Sequence, residues 1–249
     1  MRTILDLVYD ERHGDKGMLD LYLPEADGFP VFLYFHGGGI ENGSRKAGER
    51  LAKYLTDHGI GLASASYRLY PDARYPDFIE DAARATAWCK KHMGEYGGDK
   101  LFLGGSSAGG YLSMMLCFDP KYLGLYDLSP LDIAGYVHDS GQPTSHFNVL
   151  RERGLDSRRV IVDESAPLYH IGLAKEYAPM LVLYADHDMT NRPEQTEVML
   201  TALRHFGYDM DKVEAKKLHG THCFTSHTND ENGNNMLAVL VGDFIQKRM

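Results

Sequence analysis

With 249 residues, 43% of them hydrophobic, the chain can bury a sizeable core and is too apolar to be disordered. A formal net charge of -9 without a basic block argues against nucleic acid or an anionic membrane surface as partner. No apolar run approaches a membrane span, and the opening MRTILDLVYDERHGDKG lacks the apolar core of a leader peptide. Cys89, Cys117 and Cys223 cannot all pair and share no metal-site spacing, so free thiols in a reducing cytoplasm are expected.

In chain order, TILDLVY and GMLDLYL predict a strand pair at one sheet edge, with a turn around Gly14–Gly17. VFLYFH (31–36), GLASAS (61–66), KLFLGG (100–105), IAGYVH (133–138) and MLVLYA (180–185) predict short buried strands, and KVEAKKL (212–218) a more exposed, alternating one. Helical spacing appears in RKAGERLAKYLTDHG, YPDFIEDAARATAWCKKHMGEY, EQTEVMLTALRHFG and NMLAVLVGDFIQKRM. Strands alternating with helices predict an α/β fold, a mostly parallel sheet covered on both faces, in one domain over residues 1–249. The stretches 119–132 and 139–172 carry no clear strand signal. Insertions of that length are more often lids or binding loops than plain connectors.

Four short motifs carry chemistry. His36-Gly37-Gly38-Gly39 follows an apolar strand, and its bare backbone N–H groups can face an oxyanion. Gly105-Ser106-Ser107-Ala108-Gly109 matches G-x-S-x-G between a strand and a helix. That is the pattern of a nucleophile elbow, with Ser107 as its central serine. The other register would put Ala108 where the last glycine belongs, so Ser106 is expected to be a neighbour. Gly38 and Gly39 with the N–H of Ala108 would form the oxyanion hole. Past the strand LVLYA stand Asp186 and Asp188, and His219 and His222 lie in LHGTHCF after the last strand. Either aspartate could instead be a cap or turn residue, and either histidine a surface residue. The H-x-x-H pair could also suggest a metal, but no third ligand stands near it in sequence. The chain order Ser…Asp…His is that of a hydrolase triad.

Together YFHGGG, SYRLYPDARYPDFIEDA, LGGSSAGG, DHD and HGTHCF resemble the hormone-sensitive-lipase-like acetyl esterase branch of the α/β-hydrolase superfamily, over nearly the whole chain. The resemblance implies the α/β-hydrolase fold, with Ser107 as nucleophile, Asp188 as acid and His222 as base. It implies an oxyanion hole of Gly38, Gly39 and Ala108, with no metal or organic cofactor. Ser66 to Leu69 and Asp81 match positions of structural role. Two features depart from the pattern. Ser106 stands where many relatives carry an acid. About thirty residues precede the HGGG strand, too few for a helical cap, which argues against a lipase-like acyl tunnel. The Arg, His, Asn and Tyr of 139–172 suit a polar substrate such as an acetylated sugar. The expectation is a serine esterase acting on a small-molecule ester with a short acyl group, acetyl above all. The competing readings are an amide-cleaving hydrolase of the same fold, a formamidase or serine peptidase, and a non-catalytic binding protein.

Overall fold

The apolar runs of the sequence become the strands of one sheet. In the computed structural model, which describes all 249 residues, β1 (Arg2–Val8) and β2 (Met18–Leu23) pair antiparallel at one edge. The link between them is a 3-10 stretch over Glu11–Gly17 rather than a tight turn at its glycines, started by the Asp10 carboxylate accepting from the Arg12 N–H. β3 (Phe29–Phe35), β4 (Gly61–Ala65), β5 (Gly98–Ser106), β6 (Gly135–Asp139), β7 (Met180–His187) and β8 (Val213–Thr221) run parallel to one another. The order across the sheet is β1-β2-β4-β3-β5-β6-β7-β8. Every residue of β3, β4 and β6 is buried, as strands covered on both faces require, while β8 alternates at the opposite edge.

The helices divide between the faces. α1 (Glu49–Asp57) puts Leu51 and Leu55 against one face, and α9 (Met236–Gln246) adds Leu237, Val241 and Phe244 there. α2 (Asp77–His92), α3 (Ala108–Phe118) and α7 (Arg192–His205) cover the other face. α3 is buried at every position, so the helix that begins at the serine bend sits in the middle of the core. α7 stops at Gly207, which takes a φ of 74°, as the sequence signal for a C-terminal glycine requires. The stretch 119–132 holds α4 (Pro120–Gly124), and 139–172 holds α5 (Phe147–Glu152) and α6 (Pro167–His170). α8 (Phe224–His227) is a single turn between β8 and α9. No helix is long and apolar enough to cross a membrane. Parallel strands bring the carboxyl ends of β3, β5, β6, β7 and β8 to one side of the sheet, where α/β proteins place their ligands.

Candidate active site

The HGGG loop leaves β3 with its backbone bent by glycine. Gly38 has φ 111°, and a Cβ there would overlap the Asn42 carbonyl, so only glycine fits. The Gly38 carbonyl accepts from the N–H groups of Glu41 and Asn42, both at 3.0 Å, which curls the loop back on itself. His36 anchors its start. Its ring stacks on Tyr67 at 4.4 Å, the Tyr67 hydroxyl donates to the His36 carbonyl at 2.8 Å, and burial pulls the imidazole down to about 4, so it stays neutral. Tyr67 belongs to the SYRL segment. The next residue, Arg68, grips Asp81 with two guanidinium contacts of 2.8 Å, which ties that segment to α2.

The serine bend is as tight as its glycines suggest. A Cβ on Gly109 would overlap the Phe35 carbonyl, so α3 packs against the end of β3 only because that residue is glycine. Ser107 itself is held at φ 54° and ψ -113°, a conformation that non-glycine residues rarely adopt. Its N–H donates to the Asp139 carbonyl at 2.8 Å, fixing the bend to β6. Ala108 is the first residue of α3, so its N–H lies among the unpartnered donors of a helix N-terminus.

Three side chains from three separate strand ends converge here. Ser107 Oγ donates toward His222 Nε2 at 2.8 Å, and His222 Nδ1 meets Asp188 Oδ1 at 2.6 Å. A carboxylate only accepts, so the Nδ1 carries the hydrogen and Nε2 is free to take one from the serine. The Asp188 side chain is fully buried and also accepts from the Met189 N–H at 2.6 Å. Its neighbour Asp186 serves elsewhere. It accepts from His219 at 2.8 Å, from the Gly220 N–H at 3.0 Å and from His187 at 2.7 Å. Those donors, His219 first, hold its carboxyl well below the usual range. The two histidines of H-x-x-H therefore part company, His219 to the surface and His222 to Ser107. Asp186, His187 and His219 put three possible metal-ligand atoms within 4.8 Å of one another, all on exposed residues. Burial pushes the Cys223 thiol up, so this cysteine stays protonated.

A layer beneath these residues was not visible in the sequence. Ser106 pairs with Asp139 across β5 and β6 in the sheet register, and its hydroxyl donates to Asp139 Oδ2 at 2.6 Å. The other Asp139 oxygen faces the hydroxyls of Thr225 at 3.2 Å and Ser140 at 3.3 Å. Tyr34 closes the row with a 3.3 Å contact to Ser106 Oγ. Asp139 is completely enclosed, and burial lifts its carboxyl to about 6, with the three hydroxyls and the nearby His222 holding it lower than burial alone would. Thus Ser106 is not an acid itself but has one at its side, supplied by the next strand. The signal for it was weak: Asp139 ends a buried strand in YVHDS, as many turn residues do.

The cavity over Ser107 measures about 550 Å³. Of its 18 lining residues, Tyr34, Ala47, Phe147, Met189 and Cys223 are apolar. Gly38 and Gly39 line it together with Ser107 and His222. From the 139–172 stretch, Phe147 forms a wall, and Asn148 Nδ2 donates to the Gly39 carbonyl at 2.9 Å, so α5 braces the glycine loop. Nothing from 119–132 or from residues 1–28 reaches this cavity.

A sequence profile described as the alpha/beta hydrolase fold matches residues 32–225. The chain belongs to the α/β-hydrolase fold family. The hormone-sensitive-lipase-like branch is supported by that match together with the chain's esterase relatives. They include the probable carboxylic ester hydrolase LipM of Mycobacterium tuberculosis, 28% identical over 226 residues, or 80% of this chain and 51% of that protein. Carboxylesterase NlhH of the same organism is 34% identical over 115 residues, 41% of this chain and 35% of that one. The chain spans about half the length, or less, of the curated relatives it matches. Among solved structures, a truncated carbohydrate esterase from gut microbiota superposes with a TM-score of 0.79 at 16% identity, covering 100% of this chain and 96% of that one. Inhibited esterase B of Lactobacillus rhamnosis gives 0.78 at 18% identity, covering 99% of this chain and 87% of that one, and a second structure of the same esterase gives 0.77. At such identities these superpositions speak for the fold.

Proposed function

We propose that the chain is a serine esterase that removes short acyl groups, acetyl above all, from small polar alcohols such as sugars. The observation that carries this reading is the line of contacts from Ser107 through His222 to the buried Asp188, beneath a glycine loop that lines the same cavity. Ser107 Oγ attacks the ester carbonyl as His222 Nε2 takes its proton. Asp188 holds the tautomer and stabilises the imidazolium. The N–H groups of Gly38, Gly39 and Ala108 receive the developing oxyanion, each well-placed donor being worth about 3–4 kcal/mol in the transition state. His222 returns the proton to the departing alkoxide, leaving an acyl-serine. Water, deprotonated by the same histidine, then releases the acid. The names of the esterase relatives support ester over amide chemistry. The chain needs no metal for these steps, and its three buried, unpaired cysteines support a reducing, cytoplasmic setting.

The acyl preference follows from the lining. An apolar tunnel would gain about 0.8 kcal/mol for each methylene it buries. Only five of the eighteen residues lining this cavity are apolar, so that gain should end within a short acyl chain. Aryl esters of rising acyl length test it: kcat/KM should peak at acetyl or propionyl and fall by octanoyl. A steady climb with chain length would contradict the reading.

A further inference from the structure

A second cavity of about 500 Å³ opens beside the first, and Phe147 and Met189 line both. Its remaining walls come from Gln142, α5, the 157–159 loop and the start of α7 with the residues just before it. Four of its eleven lining residues are arginines, Arg151, Arg158, Arg159 and Arg192, and none is acidic. In a chain of net charge -9 this reverses the overall balance. Two of the four have carboxylate partners set back from the cavity wall. Arg151 pairs with Glu41, which lines only the first cavity, and Arg158 pairs with Asp156 at 2.6 Å, which lines neither. Arg159 forms no side-chain hydrogen bond or ion pair, and it stands exposed at the rim.

Arg192 is the least usual of the set. It is only 4% exposed, yet its guanidinium donates to two neutral acceptors, the Ser140 carbonyl at 2.9 Å and Gln142 Oε1 at 3.1 Å. The carboxylate that acts on it, Asp188, is already engaged by His222. A guanidinium buried without its own carboxylate is costly unless an anion arrives to share it. Arginines also present a planar fork that fits a carboxylate better than a lysine ammonium does.

We propose that this second cavity is the subsite for the alcohol part of the substrate and that the alcohol bears a carboxylate, as in an acetylated uronic acid. The inference rests on the esterase reading above. The acyl carbonyl lies over Ser107 in the first cavity. The sugar ring crosses Phe147 and Met189, and its carboxylate reaches the arginines. Hydrolysis breaks the acyl carbon–oxygen bond, water supplies the hydroxyl to the acyl group, and the proton goes to the alkoxide. Acetate and the free uronate leave.

Acetate release from three matched compounds tests the proposal: an O-acetylated methyl glucuronide, its neutral methyl ester, and the O-acetylated methyl glucoside. Phenyl acetate is the fourth substrate, since it reports the esterase reading without the subsite. The free acid should exceed its methyl ester in kcat/KM by about tenfold, the scale of one charge-assisted hydrogen bond. The double variant Arg158→Gln/Arg159→Gln alters only exposed side chains, and in it the ratio should fall, Arg151 and Arg192 retaining the remainder. Salt should erode the wild-type ratio as well, since the Debye length shrinks from about 30 Å at 0.01 M to about 3 Å at 1 M. Turnover of phenyl acetate with no preference for the acid, or a preference that neither the double substitution nor salt reduces, would overturn the subsite and leave the esterase standing. No turnover of any of the four overturns the esterase reading, and the subsite with it.

Discussion

The stability of Asp139→Asn relative to wild type should rise with pH. Asp139 is wholly enclosed, and its carboxyl is lifted to about 6 by burial, against about 3.9 in an unfolded chain. A folded-state value above the unfolded one means that the folded protein prefers the proton. That contribution to stability is complete below about pH 4 and is lost as pH rises through about 6. Two pKa units correspond to about 3 kcal/mol, the cost of keeping this group ionised in the folded protein at pH 8. Asparagine has the same shape and no charge, and the hydroxyls of Ser106, Ser140 and Thr225 can turn to suit it. The two proteins differ by a constant that reflects the new hydrogen bonds, plus a pH-dependent part that does not. Urea unfolding of both at several values between pH 4 and pH 8 isolates the second part. The stability of the variant relative to wild type should rise by about 2 kcal/mol across that range, with most of the change between pH 4 and pH 6.5. A flat difference, or one that falls with pH, would refute the argument that this buried acid is held against its charge.

Asp188→Asn should lose about 10⁴ in kcat while remaining folded, because the amide no longer fixes the productive histidine tautomer. Asp186→Asn should lose far less, since that carboxylate binds His187, His219 and Gly220 and does not touch His222. Steady-state kinetics with thermal unfolding on both proteins checks the pair, and the reverse ranking would move the acid to Asp186. Ser106→Ala should keep most of the activity, because its hydroxyl is turned to Asp139 and Tyr34 rather than to His222. A loss comparable to that of a nucleophile would show that the elbow had been assigned in the wrong register.

The parts of the fold and site that could be read in advance are those encoded locally. VFLYFH and KLFLGG are continuous apolar runs because their strands are covered on both faces, and HGGG and GSSAG announce bends whose geometry only glycine permits. The choice between Asp186 and Asp188 was not local. Alternation along β7 would send both side chains to one side, but the pairing of β7 with β8 shifts between Ala185 and His187, and such an irregularity leaves no mark in composition. The 139–172 stretch was opaque for a related reason. Side-chain bonds hold it, with Asp163 accepting from Ser145 at 3.0 Å and from the Ser165 hydroxyl at 2.6 Å, and they have no periodicity to detect. Asp139 and Arg192 gain their meaning only from neighbours more than thirty residues away, Ser106 and Ser140, which the parallel sheet and α7 bring to them.

The identity of the nucleophile is the claim on which the rest depends. Treating the protein with a fluorophosphonate, following loss of phenyl acetate hydrolysis, and mapping the adduct by peptide mass spectrometry tests it directly. The expected result is one adduct, on Ser107, formed in step with the loss of activity and absent from Ser107→Ala, which should itself have lost about 10⁶ in kcat. An adduct on Ser106 or another residue, or a Ser107→Ala protein that still hydrolyses the ester at the wild-type rate, would contradict it.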